Sequence, residues 1–213
     1  MTANKILSKI TKVRLFALLS LLFFSICLFG QGVVYETDEY YNGNKLYCAG
    51  VKTDIFKFYA ASQEYDCWCW AACVQMVLNY QGVYVEQKDL VKKAFGTVAN
   101  KGGTGYDIVR AANGWYVKGK TITAQMGGKS QFDLINDLAY HYPVIIGLNM
   151  PGQNMGHAYV LTGIFYYYDS YKKKVPVKVV LRDPWPYNES RTVLTWYDFY
   201  NRINCIVHIY PKN

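Results

Sequence analysis

The chain lacks most of the features that announce common activities. Histidine occurs three times in 213 residues, at His141, His157 and His208. A reaction that needs an imidazole therefore has few places to be. No Gly-x4-Gly-Lys-Ser/Thr run occurs, so Lys101-Gly102-Gly103-Thr104-Gly105 marks a loop and not a phosphate cradle. No Lys/Arg cluster interleaved with aromatics forms a nucleic-acid module, and nucleic acid is not expected as a partner. Cys67-x-Cys69-x3-Cys73 is not a zinc spacing and has no histidine near it in sequence, so neither a metal nor another cofactor is expected. The apolar run Leu15 to Phe29 is fifteen residues long, short of the roughly 20 that span a bilayer. Repeats, linkers and low-complexity stretches are absent.

What is present begins with a targeting segment. Lys5, Lys9, Lys12 and Arg14 form a basic start without an acid, ahead of that apolar run. This is the pattern of a signal peptide over residues 1–30, with a cut after Gly30 that leaves Gln31 first. The mature protein is then secreted or periplasmic. An uncleaved anchor helix is the alternative. Cys27 follows the bulky Ile26, a poor setting for a lipid anchor, so no membrane attachment is expected after cleavage. Losing this segment's four basic residues takes the balance from 23 basic against 15 acidic to 19 against 15. The remainder suits one domain with a sizeable core, expected to work as a monomer. Its five cysteines, Cys48, Cys67, Cys69, Cys73 and Cys205, are odd in number, which flags one free thiol. If Cys69 is that thiol, the other four can pair in three ways.

Residues 31–60 are tyrosine-rich and read as an extended or irregular lead-in, followed by the domain proper at 61–213. Helical periodicity runs from Cys69 to a stop at Gly82, and again from Glu86 to Phe95, where Leu90, Val91 and Ala94 share a face. Thr104 is placed to cap a short helix through Asp107, Ile108 and Ala111. The period then changes. Strands are expected at Thr121–Gln125, Pro143–Leu148, His157–Tyr167, Pro176–Arg182 and Cys205–Tyr210. A helix capped by Ser130 and a helical piece at Trp196–Arg202 interrupt them. Lys172-Lys173-Lys174 falls in a hairpin loop. Helices first and antiparallel strands later make an α+β domain.

Chemistry concentrates at Gln63-Glu64-Tyr65-Asp66-Cys67-Trp68-Cys69-Trp70-Ala71-Ala72-Cys73. A loop enters a helix here, which puts Cys69 near open backbone N–H groups and the positive end of the helix dipole. Both favour a thiolate. Gln63, six residues upstream, can offer its amide to an oxyanion beside that sulfur. Gln, six residues, Cys, then Trp-Ala resembles the active-site entry of papain-like cysteine peptidases. The usual Cys-Gly-Ser/Ala-Cys-Trp is replaced by Asp66-Cys67-Trp68-Cys69-Trp70. In this it looks more like the compact bacterial branch, the bacteriocin leader-processing peptidases and the secreted effector peptidases of plant pathogens. The resemblance implies a papain-like fold, an N-terminal helical half packed on a C-terminal antiparallel sheet half, over roughly residues 60–210.

A thiol nucleophile needs a base, and the base needs an orienting acceptor. His157 follows Gly156 at the entry to an apolar strand, and Gly156-His157-Ala158 resembles the papain-like base motif. His141 reads as a helix-end residue and His208 as structural. Asp183 ends the next expected strand, where Pro184 breaks pairing and lets the carboxylate turn back to His157. Asn188 is its competitor. Trp185 is placed to shield that bond, and Trp185, Gly156 and Trp70 are expected beside the substrate. The chain is thus expected to be an exported cysteine endopeptidase with Cys69, His157, Asp183 and Gln63 as its working residues. A papain-fold amidase, isopeptidase or transpeptidase acting on cell-wall or other peptides is the alternative, as is a non-catalytic module with Cys69 in a disulfide.

Overall fold

The computed structural model describes residues 34–152 and 155–212. Residues 1–30, expected to be a signal peptide, lie outside them. Strands β1 (Val34–Tyr41) and β2 (Asn44–Gly50) come first, then a short helix α1 (Thr53–Phe56) that continues as a 3-10 turn. Three helices follow: α2 (Cys69–Tyr80), α3 (Gln87–Phe95) and α4 (Gly105–Ala112). The rest is mainly strand: β3 (Tyr116–Val117), β4 (Lys120–Met126), β5 (Val144–Asn149), β6 (Gly156–Tyr168), β7 (Lys174–Arg182), β8 (Arg191–Thr195) and β9 (Ile203–Lys212). Helix α5 (Gln131–Ala139) precedes β5, and α6 (Trp196–Arg202) precedes β9.

Every strand pair is antiparallel. The long β6 organises the sheet. One edge of it pairs with β5 over residues 156–161 and then with β2 over residues 163–166; β7 pairs along the other edge. The alternation of its side chains feeds two cores. Ala158 and Val160 join Ile145 and Val207 under the α2–α4 layer, whereas Tyr159 and Leu161 join Ile146, Leu148 and Ile206 under α5 and α6. Both faces of the central strands are covered, which is why β5 and β6 read as near-continuous apolar runs. This is the α+β, papain-like arrangement expected, with helices packed on an antiparallel sheet.

The caps follow local chemistry. Thr104 and Asp107 form a reciprocal capping box on α4, and Ser130 accepts from the Asp133 N–H on α5. The lead-in is extended over residues 34–50, as expected, but helical after them. Residues 34–50 form a hairpin whose second strand joins β6, and Thr53–Tyr59 is helical, so this segment is built into the sheet. Strands β3 and β8 are additional findings. No helix among the described residues is long and apolar enough to cross a membrane.

Candidate active site

Helix α2 carries the first functional group. Trp70, Ala71, Ala72, Cys73, Val74, Met76, Val77 and Leu78 are all buried, so the helix is locked along most of its length and its first residue is held with it. That residue is Cys69, half-buried, with no side chain capping the helix before it. Open N–H groups of the first turn therefore surround the sulfur's end of the helix.

The second and third groups come from the sheet. Val160 pairs with Arg182 in the β6–β7 register, so His157 and Asp183 lie at the same end of the two strands. His157 Nε2 meets Asp183 Oδ1 at 2.8 Å. The Cys69 thiol also acts on this imidazole, favouring its protonated form. Burial pulls His157 down, but the hydrogen bonds and charges of Asp183 and Cys69 outweigh it and push it up to about 9. Asp183 is pulled the other way. Burial would raise it, yet donation from His157, Asn188 Nδ2 and the Trp185 N–H holds it below its ordinary value. Those last two bonds are 2.8 Å to Oδ2 and 2.9 Å to Oδ1. His157, Asn188 and the Trp185 N–H all face the carboxylate as donors, and it is 5% exposed. Asn188, weighed in the sequence as a rival to Asp183, is its partner.

The entry loop is tied down from both sides. Gln63 N–H donates to Pro184 O at 2.8 Å, joining the loop to the residue after Asp183. The buried Gln87 donates to Ser62 O and to Gln75 Oε1 and accepts from the Glu64 N–H. Nothing in the sequence spacing signals that link. Asn100 Oδ1 accepts from the Cys67 N–H.

Two expected roles are corrected here. Gln63 Nε2 donates to Tyr65 O at 3.0 Å and Asp66 O at 2.8 Å. An amide nitrogen has two hydrogens, and the turn's carbonyls take both, so this side chain shapes the turn and has no N–H left for an oxyanion. Trp70 is 1% exposed, packs edge-on against Phe95 and donates its indole N–H to Lys101 O. It is core and touches no substrate. Gly156 is exposed and crowded: a Cβ there would lie 2.6 Å from Asn204 Nδ2 and 3.1 Å from Leu148 O. Trp185 stands edge-to-face with His157 at 6.2 Å between ring centroids, with Tyr187 beyond it.

The remaining thiols separate cleanly. Cys48, Cys67, Cys69, Cys73 and Cys205 are all free. Cys73 is fully buried and burial pushes it well up, so it is an inert core thiol. His141 ends α5 in the left-handed region, at φ 61°. His208 bonds Asp137 of α5. No cluster of metal-ligating side chains occurs among the described residues.

The sequence model of the Peptidase_C39 like family matches residues 55–207. The chain belongs to that family. This member of the Peptidase_C39 like family is a papain-like cysteine peptidase. Its fold is similar to the crystal structure of the peptidase domain of Streptococcus ComA, a bi-functional ABC transporter involved in a quorum sensing pathway. The TM-score is 0.53 at 18% identity, over 71% of this chain and 97% of that one. A double glycine motif protease from an AMS/PCAT transporter, in complex with the leader peptide, aligns at 17% identity and a TM-score of 0.48, over 72% of this chain and 91% of that one. No curated protein sequence matches significantly.

Proposed function

We propose that the chain is an exported endopeptidase, working as a monomer, in which Cys69 is the nucleophile, His157 the base and Asp183 the group that orients the base. The observation that carries this is His157 Nε2 on the Asp183 carboxylate at 2.8 Å, with the Cys69 thiol, at the uncapped start of α2, acting on the same imidazole. His157 takes the Cys69 proton and the thiolate attacks a peptide carbonyl. The oxyanion forms beside the uncapped first turn of α2, where the Cys69 N–H is a donor. His157 then gives its proton to the leaving amine and the acyl–Cys69 thioester remains. Water, activated by the same imidazole, releases a peptide ending in a new carboxylate. A free Cys69 thiol argues against a purely structural module.

The test is Cys69→Ala beside Cys73→Ala. Cys69→Ala loses hydrolysis of a peptide library on the order of 10⁴-fold or more, and loses labelling by an epoxide thiol reagent. Cys73→Ala keeps both. Labelling that persists in Cys69→Ala removes Cys69 as nucleophile. The basic start and short apolar run support export, with a mature chain beginning near Gln31 and carrying no lipid. Intact-mass measurement of the exported protein checks this, and a diacylated Cys27 overturns it.

A further inference from the structure

The family match begins at residue 55, so the β1–β2 hairpin and the turn after it lie outside it. They wall one side of a cavity of about 680 Å³ in which Cys69, His157 and Asp183 take no part. The same sheet continues through β6 and β7, where Phe165 and Val180 line the cavity. Arg182, two residues beyond Val180, leaves β7 on the same face as Val180. Arg191 lines the cavity and stands directly opposite Arg182 in the β7–β8 register. Two guanidinium groups are therefore neighbours on one face.

No carboxylate among the described residues forms an ion pair with either. Arg182 is 4% exposed. Its Nη2 donates to Thr53 O at 3.2 Å, and its Nε has no acceptor. The Arg182 guanidinium carbon stands 6.0 Å from the centroid of the Phe56 ring, and no carboxylate among the described residues offsets the repulsion of like charges opposite one another in a sheet. Burial and Arg191 together hold the Arg182 guanidinium below its usual value. Lys52 and Lys57 add two further cations to the lining. Against them stand Glu36, which is taken by Lys45 at 2.7 Å, and Asp54.

We propose that this cavity binds a peptide C-terminal carboxylate. The carboxylate sits on Arg191, whose planar fork matches its two oxygens, with the charge of Arg182 one layer behind Thr53. The apolar last side chain lies against Phe165 and Val180. A phosphate group fits less well, because its extra charge meets Glu36 and Asp54 and leaves the apolar wall uncovered. The assignment of a peptide rests on the peptidase reading, since every cut that Cys69 makes creates such a carboxylate.

The experiment is calorimetric titration of full-length Cys69→Ala, exported and folded, with acetyl-Ala-Ala-Leu as free acid and as amide, and with octanoate. Binding measured on the inert variant does not depend on Cys69 being the nucleophile, so the two readings fail separately. The free acid binds, and more weakly as salt rises. The amide binds about tenfold more weakly, the worth of one charge-assisted hydrogen bond. Arg191→Met weakens the acid to the level of the amide and leaves the amide unchanged; Arg191→Lys recovers part of the loss. Arg191 is exposed, so neither change threatens folding. Equal binding of acid and amide, or an Arg191→Met protein that binds the acid as before, overturns the site. Octanoate binding as tightly as the peptide overturns the peptide assignment.

Discussion

The described residues include two histidine–carboxylate pairs, His157–Asp183 and His208–Asp137. Both are largely buried, and both join a strand of the sheet to something outside it. They differ in what stands across the imidazole. His157 meets Cys69 at the uncapped start of α2. His208 meets Gly127, packed so closely that a Cβ there would fall 2.0 Å from Nε2. The cavity of about 580 Å³ beside His208 is lined by tyrosines, aspartates and amides and has no cysteine. An imidazole fixed by a carboxylate is a fastener at His208 and, on the function proposed above, a base at His157. The thiol makes the difference: the helix beside His208, α5, brings the Asp137 carboxylate and no cysteine.

The largest test of that contrast exchanges each histidine for alanine. His157→Ala lowers turnover on the order of 10⁴-fold, because the thiol loses the group that takes its proton. His208→Ala leaves turnover per folded molecule unchanged and lowers the melting temperature. It strips Asp137 of its partner, at a cost of about 1–3 kcal/mol. Kinetics and thermal unfolding on the same samples separate the two. A tenfold fall in turnover for His208→Ala would erase the distinction. The pH dependence runs the same way. His157 is held above its ordinary 6.5, at about 9, so the folded state binds its proton more tightly than the unfolded chain does. That contribution to stability is complete below pH 6.5 and is lost as pH rises through about 9. Wild type therefore loses stability relative to His157→Ala across that window, and parallel unfolding curves would remove the ion pair from the account.

The meeting of His157 with Asp183 was legible because it depends on order along the chain. A loop into a helix at Cys69, a loop into a strand at His157 and a strand end at Asp183 are local signals, and antiparallel pairing of adjacent strands brings the last two together. Helix α6 was legible too, since Thr195 and Asp198 mark its start. The hairpin and β8 were not. β1 and β8 are edge strands without a fully buried side chain, and in β8 the half-buried positions are Thr192 and Leu194 while Val193 is exposed, so no polar–apolar alternation marks it in the sequence. Trp70 was misplaced because adjacency to Cys69 in sequence says little about direction. One residue along a helix turns the side chain by about 100°, here into the core. Gln63 was placed near the site correctly, but spacing cannot say that its amide is drawn to two carbonyls of its own turn.

A smaller effect is expected at the carboxylates. Asp183→Ala frees the imidazole to rotate and costs roughly 10²-fold in turnover, the lower end of what positioned acid–base catalysis supplies. Asp183→Asn loses less, roughly tenfold, because an oxygen can stay toward His157 and the Trp185 N–H while the new amide faces Asn188. Asn188 then turns its own oxygen inward. Asp137→Ala changes stability alone. Unchanged turnover in Asp183→Ala would remove Asp183 from the site and leave both pairs as fasteners.

Asn188 should give the smallest effect and the sharpest one. It reaches Asp183 Oδ2 at 2.8 Å and is itself exposed, so water can replace it when it is cut back. Asn188→Ala then costs about threefold in kcat/KM at neutral pH, well under the full worth of a hydrogen bond to a charge. The pH profile carries more information. Asn188 is one of three donors holding Asp183 low, so its loss raises the pH at which the carboxylate takes a proton. The acid limb of kcat/KM moves to higher pH while the alkaline limb, set by His157, stays. Asn188→Asp is the harsher change. It sets a second carboxylate against Oδ2, and two adjacent carboxylates do not both ionise readily, so the acid limb moves further in the same direction. A residue that only steadied the 184–190 loop would lower the melting temperature in both variants and leave the two limbs where they are.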